Sequence, residues 1–432
     1  MNLLVQAPEL NPADTVWVLV STALVLLMTP ALGFFYGGLV RSKNVLNTMM
    51  MSVASIAIVG LTWSLLGYSL AFSPGSDFIG SLDHALLRGV GTETGRWGAF
   101  PHVLYMAYQG TFAIIAAALI SGAVVERMRF GAYLAFIALW SLVVYAPVAH
   151  WVWGNGWIAQ LGAIDFAGGT VVHITAGLAA VVSAIVVGRR GDYGRHAVLP
   201  HNVPYVLLGA ALLWFGWFGF NGGSALAANA TAAVAVVNTL LAPAASVLIW
   251  LFLDLRRTGK ATAVGVATAA VVGLVAVTPA AGFIAPLHAI VLGGIAAVPS
   301  YFALQIRSRT RLDDSLDVFA AHGVGGIVGA LLTGVFASTA WGSPHAGLIG
   351  GNAALLLRQT IALLAAGAYS ALATYVLLKL INLVLPLRRT GDQERQGLDV
   401  IQHGEEAYSH GDGALLVMED RRKRGRAAGG ES

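Results

Sequence analysis

The sequence predicts an all-α polytopic membrane protein with eleven transmembrane helices. Three observations carry that prediction. The 432 residues are 57% hydrophobic and only 11% charged, where soluble domains carry about a quarter charged residues. Apolar runs long enough to cross a bilayer recur along most of the chain. Lys and Arg gather in alternate loops between those runs, and basic loops mark the cytoplasmic side.

The first run, 14–36, follows MNLLVQAPELNPAD, which has neither a basic opening nor an apolar signal core, so no cleaved leader is expected. Arg41 and Lys43 separate it from 44–72. The stretch 73–100 is the longest loop on the opposite side and carries Arg88 and Arg96. Run 101–125 returns to Arg127 and Arg129, and 130–150 leads out to HWVWGNGW. Run 165–188 comes back to Arg189, Arg190 and Arg195. Run 202–221 ends in an aromatic cluster that includes Trp214, Trp217, Phe218 and Phe220. Run 227–253 reaches Arg256, Arg257 and Lys260. Runs 261–278 and 283–304 lead out and back to Arg307, Arg309 and Arg311, and 317–339 and 353–387 complete the set. Arg358, early in the last run, stands apart from the alternation. The pattern puts the N-terminus outside and the C-terminus in the cytoplasm, which requires an odd number of spans. The independent count of apolar runs is odd.

The chain has 52 Gly and no Cys. Glycine lets membrane helices approach closely, and the absence of cysteine excludes disulfides and thiolate metal sites. Run 353–387 would reach roughly 52 Å as a helix, so it must tilt strongly or project from the bilayer. Residues 388–432 are polar and charged and read as a cytoplasmic tail, with DRRKRGRAAGGES at its end expected to be disordered.

Two histidines lie inside apolar runs, each eight residues after an aspartate: Asp165 to His173 in DFAGGTVVH and Asp314 to His322 in DSLDVFAAH. Ionisable side chains within membrane helices mark functional sites by default. The fifth run enters from outside and the tenth from inside. Eight helical residues advance about 12 Å, so both histidines approach the middle of a hydrocarbon core about 30 Å thick. This geometry suits an inverted 5+5 repeat, 14–190 and 200–340, with a site between the halves, followed by the long tilted eleventh helix and the tail. The bland alternative is a pair of polar residues that only hold helices together. A metal is not expected, because neither helix has a second His at i+3 or i+4.

Aromatic residues form the second constellation. Tyr108 and Phe112 share a helix face at i, i+4. Trp153, Trp217 and Phe220 lie near predicted outer helix ends, where an interfacial belt is the ordinary explanation. Beside Ser224 and Asp165 they could do more, since aromatic faces attract cations. Asp165 is placed to cap the fifth helix, and Asp314 the tenth. No Lys, Arg, Asp or Glu lies centrally in any run. Desolvating a monovalent cation costs on the order of 20 kcal/mol in the idealised limit, which two imidazoles cannot recover. The middle therefore suits a small neutral polar solute that arrives as a cation and crosses deprotonated. There is no nucleophile constellation, phosphate loop or metal box, so an enzyme, a cofactor and a nucleic-acid partner are not expected.

At these residues the chain resembles the Amt/Mep/Rh ammonium transporter family, on its bacterial Amt side. The resemblance runs over roughly 14–408. It includes FFYGGLVRSKNVLN, GAVVERMRF, APVAHWVWGNGW, DFAGGTVVHITAG, PHNVPYVLLGA, WFGFNGGSA, VTPAAGFI, DVFAAHGVGGIVG and GLDVIQHGEEAY. It implies a homotrimer in the inner (plasma) membrane with one pore per subunit. Trp153, Phe112 and Ser224 resemble an outer ammonium-recruitment site, supported by Asp165, which holds Ala167 and its neighbours in position. Phe112 and Phe220 resemble a stacked gate. His173 and His322 resemble the twin-His pair of the pore, and Trp217 an aromatic lining the same region. Tyr108 stands near the recruitment site where many relatives have Phe, and Ala31 follows Pro30 where Pro-Gly is usual. GLDVIQHGEEAY resembles a tail that packs on the cytoplasmic face and couples subunits, and a PII-type signalling protein docks on that face in many relatives. His288 lies outside these motifs and reads as structural. The rival functions are an ammonium sensor with little flux, for which a fused output domain after helix 11 would be the sign, and a carbon dioxide or water channel.

Overall fold

The computed structural model describes residues 8–195 and 199–408. The expectations for the extreme N-terminus and for the end at 420–432 lie outside the described residues. Eleven described helices are long and apolar enough to cross a membrane: α1 Pro12–Leu39, α2 Ser42–Phe72, α3 His102–Ala123, α4 Phe130–Leu161, α5 Gly169–Val187, α6 Val203–Gly222, α7 Ala230–Thr258, α8 Ala263–Ala280, α9 Pro286–Arg307, α10 Phe319–Phe336 and α11 Ala353–Val384. No named strand occurs among the described residues. Two short helices follow, α12 Gly391–Gln396 and α13 Leu398–His403.

The elements begin where the local chemistry says they should. Asn11 accepts the N–H groups of Ala13 and Asp14 at 2.9 and 3.2 Å, and Pro12 opens α1. Asn229 caps α7 through the Ala232 N–H at 3.0 Å, and Thr262 caps α8 through that of Gly265 at 3.0 Å. The largest shift from expectation is in α4, which extends to Leu161 rather than ending at 150. Its main helix runs on to Val152, and the chain then reverses through Gly154–Asn155–Gly156, with Asn155 at φ 68°, into one more turn at Trp157–Leu161. HWVWGNGW is therefore a helix end and a sharp reversal.

Packing places α1 against α6, α7 against α8 and α9, and α11 against α5 and α10. The second half of α5 meets the start of α10 at Gly177 and Gly323. A Cβ on Gly177 would lie 2.5 Å from the Gly323 Cα, so only glycine allows this approach. The 32 residues of α11 run about 48 Å. Its inward face is tied by side chains: Gln359 brackets the backbone of Ile164 at 2.8 Å in both directions, and Ser370 donates to the Thr175 carbonyl at 2.7 Å. The Trp140 indole donates to Thr374 at 3.1 Å. Leu372, Leu380, Leu383 and Val384 of the same helix stay exposed, as a face turned to lipid would.

The basic loops converge on one face. Buried Glu126 bonds Arg190 at 2.7 Å and Arg41 at 2.9 Å, and Arg190 reaches Asp313 at 2.8 Å. Buried Arg127 donates to the carbonyls of Gly188 and Asp313, both at 2.6 Å. Four connections between spans are thus stitched into one network. Burial pushes the Glu126 carboxyl up, but Arg41 and Arg190 outweigh it and hold its pKa down at about 2. The tail lies on this face, where the sequence resemblance placed it. Asp399 accepts the N–H groups of Leu46 and Asn47 at 3.0 and 2.8 Å, capping the α-helical part of α2 from another part of the chain. Gln402 accepts from the Phe130 N–H at 2.7 Å, and His201 bonds the Tyr408 hydroxyl at 2.9 Å.

Candidate functional site

The site is built where α3, α5, α6 and α10 meet. His173 and His322 each sit in a π-helical turn, Gly169–Ile174 and Phe319–Val324, and Phe220 sits in a third, Phe218–Gly222. A π turn inserts one residue and re-aims the side chains beside it. The two histidines are 1% and 3% exposed, and their Nδ1 atoms lie 3.3 Å apart. Their ring centroids are 5.3 Å apart at 30°. His173 also stacks against Trp217 at 5.4 Å and Phe220 at 5.8 Å. The Trp217 indole is fixed by its bond to Thr278 at 3.0 Å. Among the described residues His173 Nε2 has no hydrogen-bond partner.

Above the pair, Phe112 and Phe220 lie with centroids 4.3 Å apart. Beyond them, away from the basic face, is a cavity of about 330 Å³ lined by Phe112, Trp153, Ser224, Gln109, Tyr105 and their neighbours. The Trp153 ring stands edge-on to Phe112 at 6.2 Å. Below the two phenyl rings is a narrow apolar cavity, lined by Leu32, Ile115, Leu213, Val271, Phe220 and both histidines. Its volume of about 10 Å³, open to the centre of a water-sized sphere, is roughly what one such molecule needs. His322 also lines a third cavity of about 420 Å³ toward the basic face. The first two cavities meet at the phenyl pair, and the second and third share His322, Phe35 and Val271 as walls.

Asp165 accepts four backbone N–H groups: Gly168 and Gly169 on Oδ1 at 2.9 and 2.7 Å, Thr170 and Val171 on Oδ2 at 2.8 and 3.1 Å. The next two, from Val172 and His173, end on the Gly168 carbonyl. None of these six therefore reaches the carbonyl of buried Ala167. The turn needs Gly168, whose φ is +115°. The Trp153 indole donates to the Asp165 carbonyl at 2.9 Å, so the aspartate segment also sets the tryptophan ring. Asp314 caps α10 more sparsely. Its Oδ2 accepts the Phe319 N–H at 2.8 Å, and its buried Oδ1 has no partner among the described residues.

Of the residues singled out from sequence, Trp153, Phe112 and Ser224 share the first cavity. Phe220, Trp217, His173 and His322 share the second. Tyr108 is buried behind them. Its hydroxyl donates to the Gly219 and Phe220 carbonyls at 3.0 and 3.1 Å and lies 3.3 Å from the Ser224 hydroxyl, so it shapes the wall from outside the cavity. Trp157 packs on Trp151, and Trp214 donates to the Thr239 carbonyl; neither lines these cavities. His288 stacks on Phe336 at 4.9 Å and 9°, away from the conduit.

Sequence reasoning passed over Gln109, although a lone amide in an apolar helix is itself a signal. It also passed over the loop residues Arg96 and Trp97 and over Tyr105, which line the same cavity. In the third cavity it missed the pairing of Arg307 with Asp317, at 2.6 and 3.0 Å. That contact depends on how α9 and α10 pack. Among the described residues no group of three or more His, Asp or Glu side chains is disposed to hold a metal.

Residues 16–408 match the sequence model of the Ammonium Transporter Family. An "Ammonium transporter" of Bacillus subtilis is 49% identical over 398 residues, covering 91% of this chain and 98% of the relative. "Ammonium transporter Amt1" of Archaeoglobus fulgidus is 43% identical over 401 residues, covering 93% and 100%. The crystal structure of Saccharomyces cerevisiae Mep2 superposes with a TM-score of 0.84 at 36% identity over 89% of each chain. A structure titled "Sensor Amt Protein" gives 0.84 at 29% identity, over 90% of this chain and 98% of the other. The chain belongs to the ammonium transporter family; it is a multi-pass membrane transporter for ammonium, not an enzyme.

Proposed function

We propose that ammonium is recruited as a cation in the cavity of Trp153, Phe112 and Ser224, loses a proton near the Phe112–Phe220 gate, and crosses as ammonia beside His173 and His322, the proton either returning to the outer solution or following along the histidine pair. The observation that carries this reading is the imidazole pair at 3.3 Å, buried at the end of an apolar cavity with room for about one water-sized molecule. Aromatic faces and a hydroxyl suit a small cation. The Asp165 carboxylate gathers the helix N–H groups and fixes the turn behind the cavity wall, where buried Ala167 keeps its carbonyl clear of them. The narrow cavity has no charged lining, so a bare cation there would lose its hydration with little in return.

The histidine contact supports the second half of the path. Two neutral imidazoles meeting Nδ1 to Nδ1 place the hydrogen on one of them. That ring then offers a bare Nε2 and the other an Nε2–H, so the conduit presents one acceptor and one donor to ammonia. If the released proton is taken up at the bare Nε2, the shared hydrogen can cross to the other Nδ1 and the second ring can release its Nε2–H; the two neutral rings are then left with exchanged roles, which gives the proton a route if it follows.

Potassium has no proton to lose and should be excluded. Ammonium-driven current and methylammonium uptake in proteoliposomes test the reading, with His173→Ala and His322→Ala as variants. Unchanged ammonium current and intact potassium exclusion in both would remove the histidines from the mechanism. The same assay without current but with ammonia flux would assign net ammonia conduction. A homotrimer in the plasma membrane, N-terminus outside and basic face cytoplasmic, with a PII-type protein docking on that face, belongs to the same proposal. The clustering of arginines on one face supports that orientation. The sensor reading has no residue of the site in its favour.

A further inference from the structure

The recruitment cavity has a cation of its own. Arg96, from the loop between α2 and α3, lines it together with Trp97 and Tyr105. The guanidinium lies 4.0 Å from the centroid of the Trp97 ring, and the same indole is stacked on Tyr105 at 4.7 Å and 4°. Two groups so close to one ring leave it no open face for a substrate cation. The Arg96 side chain is anchored by a hydrogen bond from Nη2 to the Phe72 carbonyl. Among the described residues no carboxylate lies within ion-pair distance of it. Asp165, the buried carboxylate of the site, spends both oxygens on backbone N–H groups.

We infer that Arg96 sets the ammonium affinity of this cavity: it occupies the cation-accepting face of Trp97 and places an unpaired positive charge on the cavity wall. The inference rests on the recruitment reading above. Two consequences follow from electrostatics. Ammonium must enter against a fixed like charge, which weakens binding without touching the conduit below the phenyl gate. Salt screens charges at an open mouth, so added salt should strengthen recruitment. Trp153 and Phe112 are then the aromatic faces left to the substrate.

The experiment measures ammonium-dependent current in proteoliposomes at low and high sodium chloride, equal on both sides. The proteins are the wild type, Arg96→Gln, Arg96→Lys and, as a control on the cavity, Trp153→Leu. Removing the charge should lower the apparent KM on the order of threefold at low salt, with maximal current changed less. The salt dependence of KM should flatten in Arg96→Gln and persist in Arg96→Lys. An unchanged or raised KM in Arg96→Gln, or equal shifts in the Gln and Lys variants, would overturn the inference and leave Arg96 as a loop anchor. The Trp153→Leu control separates the two levels. If its KM rises while that of Arg96→Gln does not fall, the Arg96 inference fails alone. If its KM is unchanged, the recruitment reading fails and the Arg96 inference with it.

Discussion

The Nδ1 atoms of His173 and His322 lie 3.3 Å apart across a sequence separation of 149 residues. Each ring supplies the partner that the other needs in an apolar surrounding. Leaving one buried polar atom unpaired costs about 1–3 kcal/mol, whereas replacing both partners by apolar groups of similar shape costs much less. His173→Leu and His322→Leu should therefore each destabilise the protein by about that amount, while the double variant falls well short of the sum. Thermal unfolding of the four proteins in mild detergent measures the coupling. Strict additivity would mean that the contact contributes nothing.

Trp153 is held by a bond from its indole to the Asp165 carbonyl, with its ring on the cavity wall. A desolvated cation–π contact is worth roughly 1–2 kcal/mol, so Trp153→Leu should raise the apparent KM for ammonium about 5- to 30-fold. Maximal current at saturating ammonium should fall less. Current against concentration distinguishes the two effects.

Asp165 satisfies four N–H groups at the start of α5. Asp165→Ala strands all four in a buried turn and should destabilise by ~3 kcal/mol or more, with transport lost because the turn carries Ala167 and anchors Trp153. Asp165→Asn keeps one acceptor oxygen and should fall between the variant and the wild type in thermal stability. Equal stability of the Ala variant and the wild type would show that water or a rearranged backbone replaces the carboxylate.

The Glu126 carboxylate, with its pKa held at about 2 by Arg41 and Arg190, binds its proton less readily folded than unfolded. Its contribution is therefore present above the unfolded value near 4.5 and is lost as pH falls toward 2. The wild type should lose unfolding stability across that window more steeply than Glu126→Gln. At neutral pH the Gln variant should be less stable by about 3–5 kcal/mol, because Arg190 and Arg41 lose a buried counter-charge. Denaturation curves in detergent at stepped pH test both statements.

Much of the site was legible because its residues are chemically out of place. A histidine in an apolar run and an aspartate just before a helix are each visible one segment at a time. Tyr108 shows the limit of that reasoning. Its i, i+4 spacing with Phe112 put both on one face, but packing turned its hydroxyl to the carbonyls of Gly219 and Phe220, and it left the cavity wall to Phe112. Gln109 stands out as a lone amide in an apolar helix and Arg96 does not stand out in its loop, but neither local sequence says that a cavity forms beside them.

The sequence by itself determined the spans, the face that gathers the arginines, the aspartate caps and the histidines as the polar interruptions of apolar helices. Hydropathy, charge and capping are properties of short segments and need no knowledge of partners. Only the tertiary structure decided that the two Nδ1 atoms touch, that the phenyl rings separate two cavities, that Asp399 of the tail caps α2, and that Arg96 covers Trp97 at the mouth. Those contacts join distant segments, and they depend on π turns and glycine crossings that re-aim side chains by amounts no local pattern specifies.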